Sequence, residues 1–170
     1  MSLTFLLGGA RSGKSTLATE LASSWGGAVT VIATGEARDD EMVERIRTHR
    51  AERPSEWQTV EEPLELQAAL SAVPEDAAAI VDCLALWVAN LVERGDEDEH
   101  VEAGSERAVR VARARTSPTI VVSNEVGLGV VPPSPLGRRY RDLLGRVNAQ
   151  WAAAADEAAF VVAGRQLPLQ

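Results

Sequence analysis

Short apolar runs alternate along the chain with longer stretches in which apolar positions recur every three or four residues. The short runs at Leu3–Leu7, Ala28–Thr34, Trp57–Val60, Ala78–Cys83, Thr119–Ser123 and Ala159–Ala163 read as β-strands. Helical periodicity occupies Lys14–Ser24, Asp39–Arg53, Pro63–Ala72 with proline at its first position, Ala85–Glu93 and Ser105–Arg115. A last helix is expected after Ser134-Pro135, an N-cap followed by a first-turn proline, with Leu136, Tyr140, Leu143, Val147 and Trp151 on one stripe. Between these elements, Arg94–Ser105 is rich in Asp, Glu and Gly and reads as a solvated loop, and Asn124–Pro133 reads as a second, glycine-rich one. Strands that alternate with helices predict an α/β fold with a mostly parallel sheet flanked by helices. No repeat or linker interrupts the pattern, so residues 1–170 are expected to form a single domain.

Composition narrows the range of partners. Hydrophobic residues make up 45% of the chain, enough for a proper core, and the formal net charge is −8. An acidic surface argues against nucleic acid and anionic membranes, both of which need basic patches. The longest apolar stretch, Ala77–Val92, contains Asp82 and Asn90 and is too short and too polar to span a bilayer. The N-terminus enters Leu3–Leu7 without a basic region or cleavage site, so no signal peptide is expected. Cys83 is the single cysteine, which rules out an intrachain disulfide and fits a reducing, cytoplasmic setting.

The first apolar run opens into Gly8-Gly9-Ala10-Arg11-Ser12-Gly13-Lys14-Ser15, a full G-x-x-x-x-G-K-[ST] phosphate loop between a strand and a helix. Glycines let backbone N–H groups turn in around phosphate oxygens, and the helix N-terminus adds partial positive charge. Lys14 is expected to reach the β- and γ-phosphates, and the Ser15 hydroxyl to ligate Mg²⁺. Lys14 is also the only lysine among 17 basic residues, so a compact ammonium persists at the one place where phosphate chemistry uses it. Ala78–Asp82, four apolar residues ending in a carboxylate, has the form of a Walker-B strand that would bring Asp82 to the same metal.

A guanine-reading switch protein would carry Asn-Lys-x-Asp, and no lysine exists outside the phosphate loop to build it. A plain small-molecule kinase and a non-enzymatic nucleotide-binding regulator stay open from the loop alone. His49 adds a second possibility. It shares a helix face with Met42 and Ile46, as a half-buried core histidine would, yet Arg47, Arg50 and Arg53 surround it with positive charge. An imidazole in such a place can attack phosphorus and hold a covalent intermediate. The other histidine, His100, falls in the acidic segment and reads as solvated. The loop Asn124–Pro132 leaves a strand end, where open parallel sheets form their ligand crevice, so Asn124 and Glu125 are expected to face nucleotide or acceptor.

Taken in order, Gly8–Ser15, Ile32-Ala33-Thr34, Asp39–Met42, Arg45-Ile46, His49-Arg50, Arg53-Pro54, Trp57, Asn124-Glu125-Val126-Gly127-Leu128-Gly129-Val130-Val131-Pro132 and Gly145–Asn148 resemble the bifunctional adenosylcobinamide kinase / adenosylcobinamide-phosphate guanylyltransferase family of cobalamin biosynthesis. The resemblance covers nearly the whole chain and implies a P-loop NTPase-type fold. It implies that ATP or GTP phosphorylates the aminopropanol arm of adenosylcobinamide. It also implies that GTP then guanylylates a histidine, here His49, and that the GMP passes to cobinamide phosphate. By the same resemblance, nucleotide contacts fall on Gly8, Gly9, Ala10, Arg11, Ser12, Gly13, Lys14, Ser15, Ala33, Thr34, Gly35, Arg50, Ala51, Glu52, Arg53, Glu61 and Asp82. The resemblance further implies that Lys14 and His49 carry the chemistry, that Mg²⁺ accompanies the nucleotide, and that the assembly is a homotrimer. Asp82 stands where Glu is common in that family. A monofunctional kinase with a structural His49 is the alternative.

Overall fold

The computed structural model describes residues 3–37, 40–51 and 53–169. Its strands are β1 (Leu3–Gly8), β2 (Val29–Ala33), β3 (Gln58–Glu61), β4 (Ala78–Asp82), β5 (Thr119–Asn124), β6 (Glu157–Val162) and β7 (Arg165–Leu169). Its helices are α1 (Lys14–Ser24), α2 (Asp40–Ala51), α3 (Leu66–Ala72), α4 (Leu84–Arg94), α5 (Asp98–Ala114) and α6 (Pro135–Ala154). Asp39 and Glu52, expected in the second helix, lie outside the described residues, as does the Met42 side chain expected beside Ile46 and His49.

One seven-stranded sheet runs in the order β3-β2-β4-β5-β1-β6-β7. Every neighbouring pair is parallel except β6–β7. The inner strands β1, β4 and β5 are buried almost throughout, which is why they read as unbroken apolar runs rather than alternating ones. Phe5, Val81 and Val121 are fully enclosed. Helix α1 packs on β1, β4 and β5, while α4 and α6 pack on each other and reach β5 and β1. Leu143, Leu144, Val147 and Trp151 bring the buried stripe of α6 into the core. Leu136, expected at the head of that stripe, is exposed instead, one turn beyond where the helix meets the core.

Three elements differ from the sequence expectation. Helix α3 starts at Leu66 rather than Pro63. The Trp87 indole donates to the Leu64 carbonyl at 2.7 Å and Asn90 Nδ2 to the Pro63 carbonyl at 3.1 Å, so these oxygens serve α4 instead of opening a helix. Glu62 Oε1 accepts from the N–H groups of Leu64 and Glu65 and fixes the turn before α3.

The acidic segment expected as a loop is largely helical, because α5 begins at Asp98. Asp98 and Glu99 sit in its first turn, where negative charge is favoured, and Val101, Ser105, Ala108 and Ala112 form a narrow buried stripe of mostly small residues. Ion pairs from Asp98 to Arg139 and Arg146, and from Glu102 to Arg146, fasten that turn to α6. His100 lies on this helix, exposed, 3.8 Å from Asp96.

The sheet also gains β7, which no strong pattern announced. Ala163 (φ 51°) and Gly164 (φ 71°) turn the chain tightly back on β6, as a two-residue hairpin with both central residues left-handed requires.

Candidate active site

Parallel pairing brings the carboxyl ends of five strands together. Gly8 pairs with Asn124, and Ala33 with both Asp82 and Glu61. Loops leaving these ends carry nearly all the residues singled out from sequence.

The phosphate loop leaves β1 and is braced by the neighbouring strand β6 and the turn that follows it. A Cβ added to Gly8 would lie 2.2 Å from the Val161 carbonyl oxygen, so only glycine lets the loop leave the strand this close to β6. Gly13, the N-cap of α1, has φ 100°, and a Cβ there would meet Gly164 Cα at 3.3 Å. The Gly164 N–H donates to the Ser12 carbonyl at 2.9 Å, so the β6–β7 turn props the loop directly. Arg11 adopts a left-handed backbone at the exposed tip. Lys14 is buried, and its ammonium donates to the Gly9 carbonyl at 2.6 Å and to Ser12 Oγ at 3.3 Å. The lysine thus lies folded along the inside of the loop it serves.

Beside α1 opens a cleft of about 280 Å³. Ser15, Thr16, Thr19 and Glu20 line it from α1, His49 from α2, Arg53 and Trp57 from the connection to β3, and Asp82 from the end of β4. The sheet side chains Val31, Ile80 and Val122 form its floor. Four residues expected to act together, Ser15, His49, Arg53 and Asp82, therefore share one cavity although they come from distant parts of the chain.

Their charges are arranged around Asp82. Arg53 Nη2 donates to Asp82 Oδ2 at 2.9 Å, and His49 Nδ1 stands 3.7 Å from the same oxygen, an electrostatic contact rather than a hydrogen bond. Burial pushes the Asp82 carboxyl up, but the neighbouring His49 and Arg53 outweigh it and hold the group below the ordinary carboxylate range. Burial, with the Asp82 charge beside it, pushes the adjacent Cys83 thiol up to about 11, which keeps it a neutral packing residue.

The backbone beneath is tied tightly. Thr34 Oγ1 donates to the Cys83 carbonyl at 2.7 Å and accepts from the Cys83 N–H at 3.0 Å, while Asn90 Nδ2 donates to the Thr34 carbonyl at 2.8 Å. Ala33, Thr34 and Gly35 are thus fixed against the start of α4. Arg50 pairs with Glu61 at 3.4 Å, both exposed, at the outer edge of the same sheet end. Ala51 closes α2 on the surface, and Glu52 lies outside the described residues.

Asn148 stood in the sequence only as one member of a run. Here it is buried in α6, accepts from Ser123 Oγ at 2.6 Å and donates through Nδ2 to the Asn124 carbonyl at 3.1 Å. The Glu125 N–H in turn donates to the Gly8 carbonyl at 3.1 Å. One buried amide therefore sets the end of β5, and through it the base of the loop beside the phosphate cradle. A polar residue on an otherwise apolar helix stripe is the signal that points to it.

Residues 4–169 match the family model described as cobinamide kinase / cobinamide phosphate guanyltransferase. The chain belongs to this family. The family has two activities, phosphorylation of cobinamide and guanylyl transfer to cobinamide phosphate, in adenosylcobalamin biosynthesis. The chain is 45% identical over 166 residues to a bifunctional adenosylcobalamin biosynthesis protein of Pseudomonas aeruginosa, covering 97% of this chain and 95% of that protein. It is 39% identical over 175 residues to the protein so named in Escherichia coli, covering 95% of this chain and 96% of that one. Among solved structures it is similar to the flagellar accessory protein FlaH of Methanocaldococcus jannaschii (TM-score 0.53, 15% identity, 97% of this chain and 74% of that one). It is also similar to the type III secretion ATPase EscN of enteropathogenic E. coli (TM-score 0.60, 12% identity, 95% and 43%). These two likenesses are of fold alone, and they bear out the P-loop architecture expected of a cobinamide kinase.

Proposed function

We propose that a single cleft carries out both activities of the family, with His49 as the residue that holds GMP between the two halves of guanylyl transfer. The observation that supports this is the presence of His49 and Ser15 in one cavity, with Asp82 against the imidazole.

In the kinase reaction the Gly8–Ser15 loop grips the triphosphate and Lys14 neutralises charge on its β- and γ-oxygens. The cobinamide hydroxyl attacks the γ-phosphorus, the bond to the β-bridging oxygen breaks, and the nucleoside diphosphate leaves. In guanylyl transfer, with Nδ1 of His49 towards Asp82, Nε2 is in this reading the nitrogen that attacks the α-phosphorus of GTP. An N–P bond forms as the bond to pyrophosphate breaks. An oxygen of cobinamide phosphate then attacks the same phosphorus, the N–P bond breaks, and cobinamide-GDP is released with the imidazole restored. Ala33, Thr34, Gly35, Arg50, Ala51, Glu52, Arg53 and Glu61 belong to the nucleotide surface in this reading.

Mg²⁺ fits the donors present. Ser15 and Asp82 line the same cleft, and no cluster of three or more His, Cys, Asp or Glu that could hold a metal occurs among the described residues. One hydroxyl, one carboxylate and the substrate phosphates make the kind of oxygen set that Mg²⁺ uses. The ion would supply charge neutralisation on the phosphates. Cytoplasmic residence and a homotrimer complete the reading; none of the helices, over the described residues, is long and apolar enough to cross a membrane.

Incubation with α-labelled GTP tests it. Acid-labile label on the intact protein, absent from His49→Ala, is expected. Label persisting in His49→Ala removes the histidine from the mechanism. A chain that phosphorylates cobinamide but never takes up label is a kinase with a structural His49. Lys14→Met is expected to weaken nucleotide binding about 10- to 100-fold, the scale of one lost charge-assisted hydrogen bond.

A further inference from the structure

Between β5 and α6 the chain presents apolar side chains to solvent. Leu128 is 81% exposed and Val130 96%, and Val126, Val131 and Leu136 are exposed around them. Residues 126–137 include no charged side chain, in a protein where a quarter of the residues are charged. Several large apolar side chains exposed on one short uncharged segment are the kind of surface that contact sites use.

The loop is held from both ends rather than draped. At its start the Glu125 N–H donates to the Gly8 carbonyl at 3.1 Å, and the Glu125 carboxylate accepts from the Gly127 N–H. At its far end Arg138 Nη1 donates to the carbonyls of Pro132 at 3.1 Å and Pro133 at 2.7 Å, and Ser134 Oγ caps α6. The start of the loop at Glu125 lies against the first glycine of the phosphate loop, and its tip at Leu128 and Val130 is almost wholly open to solvent.

We infer that this loop is the docking surface for the corrin macrocycle of the acceptor. The argument rests on the family's substrate being cobinamide. The cleft of about 280 Å³ must already take nucleotide phosphates, and it lies at the small end of pockets for drug-sized ligands, roughly 300–1,000 Å³. A corrin ring with its amide arms is larger than such ligands, so the ring stays outside and only its reactive arm enters. An uncharged apolar loop bordering the phosphate cradle offers the flat, methyl-studded ring a surface from which a flexible arm reaches the phosphates. That division explains why the loop is pinned to Gly8 at one end and to α6 at the other.

The test is the double variant Leu128→Ser/Val131→Ser, with Leu128→Met/Val131→Ile as the conservative control. Binding of cobinamide, followed by its visible absorbance in equilibrium dialysis, is expected to weaken about tenfold or more in the serine variant, the scale of two lost apolar contacts. KM for cobinamide rises in parallel in the kinase assay. KM for GTP, melting temperature and oligomeric mass stay as in the unmodified protein, and the conservative control binds normally. Cobinamide binding unchanged by the serine variant overturns the inference. So does a fall in oligomeric mass, which assigns the loop to contact between copies of this chain. Failure of the unmodified protein to phosphorylate cobinamide, while it binds GTP, overturns the functional reading itself.

Discussion

His49 and Asp82 face each other across the cleft, Nδ1 to Oδ2 at 3.7 Å, and the same oxygen accepts from Arg53 at 2.9 Å. A helix residue and a strand-end residue 33 positions apart are thereby coupled through one carboxylate. Asp82→Asn keeps the shape but removes the charge that orients the imidazole. Histidine labelling from GTP is expected to slow by about 10² or more, the scale of losing the group that orients a catalytic imidazole. Rapid-quench labelling measures it, and an unchanged rate separates Asp82 from His49. Arg53→Met leaves a nearly buried carboxylate without its cation and is expected to cost about 3 kcal/mol in urea unfolding.

Gly8 meets β6 more closely than any side chain permits. With a Cβ only 2.2 Å from the Val161 carbonyl oxygen, Gly8→Ala must push strand or loop aside. A loss of roughly 1–3 kcal/mol in stability is expected, together with weakened nucleotide binding, since the displaced backbone is the phosphate cradle. Gly9→Ala is the control, because a Cβ there meets nothing within 4 Å. Equal damage from both would show that steric approach to β6 is not the cause.

Asn148→Leu removes both partners that fix Ser123 and Asn124. The Ser123 hydroxyl, fully buried, loses the acceptor it donates to, at a cost of about 1–3 kcal/mol. The loop beginning at Glu125 loosens with it. Faster amide hydrogen exchange over residues 124–131, with exchange in β2 unchanged, is the expected signature.

Asp98 links pH to the helix that composition concealed. Its partial burial raises the carboxyl, but hydrogen bonds and charge from Arg139 and Arg146 prevail and hold it below the ordinary range. A carboxyl lowered on folding stabilises the protein fully above its unfolded pKa of about 3.9, and that contribution fades as pH falls through the folded value. Asp98 is about one-third exposed, so solvent screening limits the effect to about 1 kcal/mol or less. Unfolding curves of the protein and of Asp98→Asn are expected to differ near neutrality and converge in acid. A constant offset at every pH would remove the ion pairs as the cause.

The phosphate loop, the strand before it and the helix after it were legible because the chemistry is local. Eight consecutive residues dictate their own turn, and the flanking periodicity supplies the strand and helix. The inner strands were equally plain, since burial on both faces leaves unbroken apolar runs. Helix α5 was obscured because it pairs a stripe of small residues with acidic groups whose partners, Arg139 and Arg146, lie some forty residues away. Strand β7 was hidden for a related reason: an exposed edge strand needs no apolar pattern, and only its pairing with β6 defines it.

For the site, the sequence by itself determined which chemistry was available: a lone lysine in a phosphate loop, a histidine among arginines, and a carboxylate ending a buried strand. Tertiary structure alone decided that Asp82 answers to both Arg53 and His49, that Gly164 props Ser12, and that Asn148 sets the end of β5. Local sequence encodes backbone preference and burial, which act between near neighbours. Charge pairing and steric approach act through space, and they exist only once parallel strands have brought distant residues to the same edge.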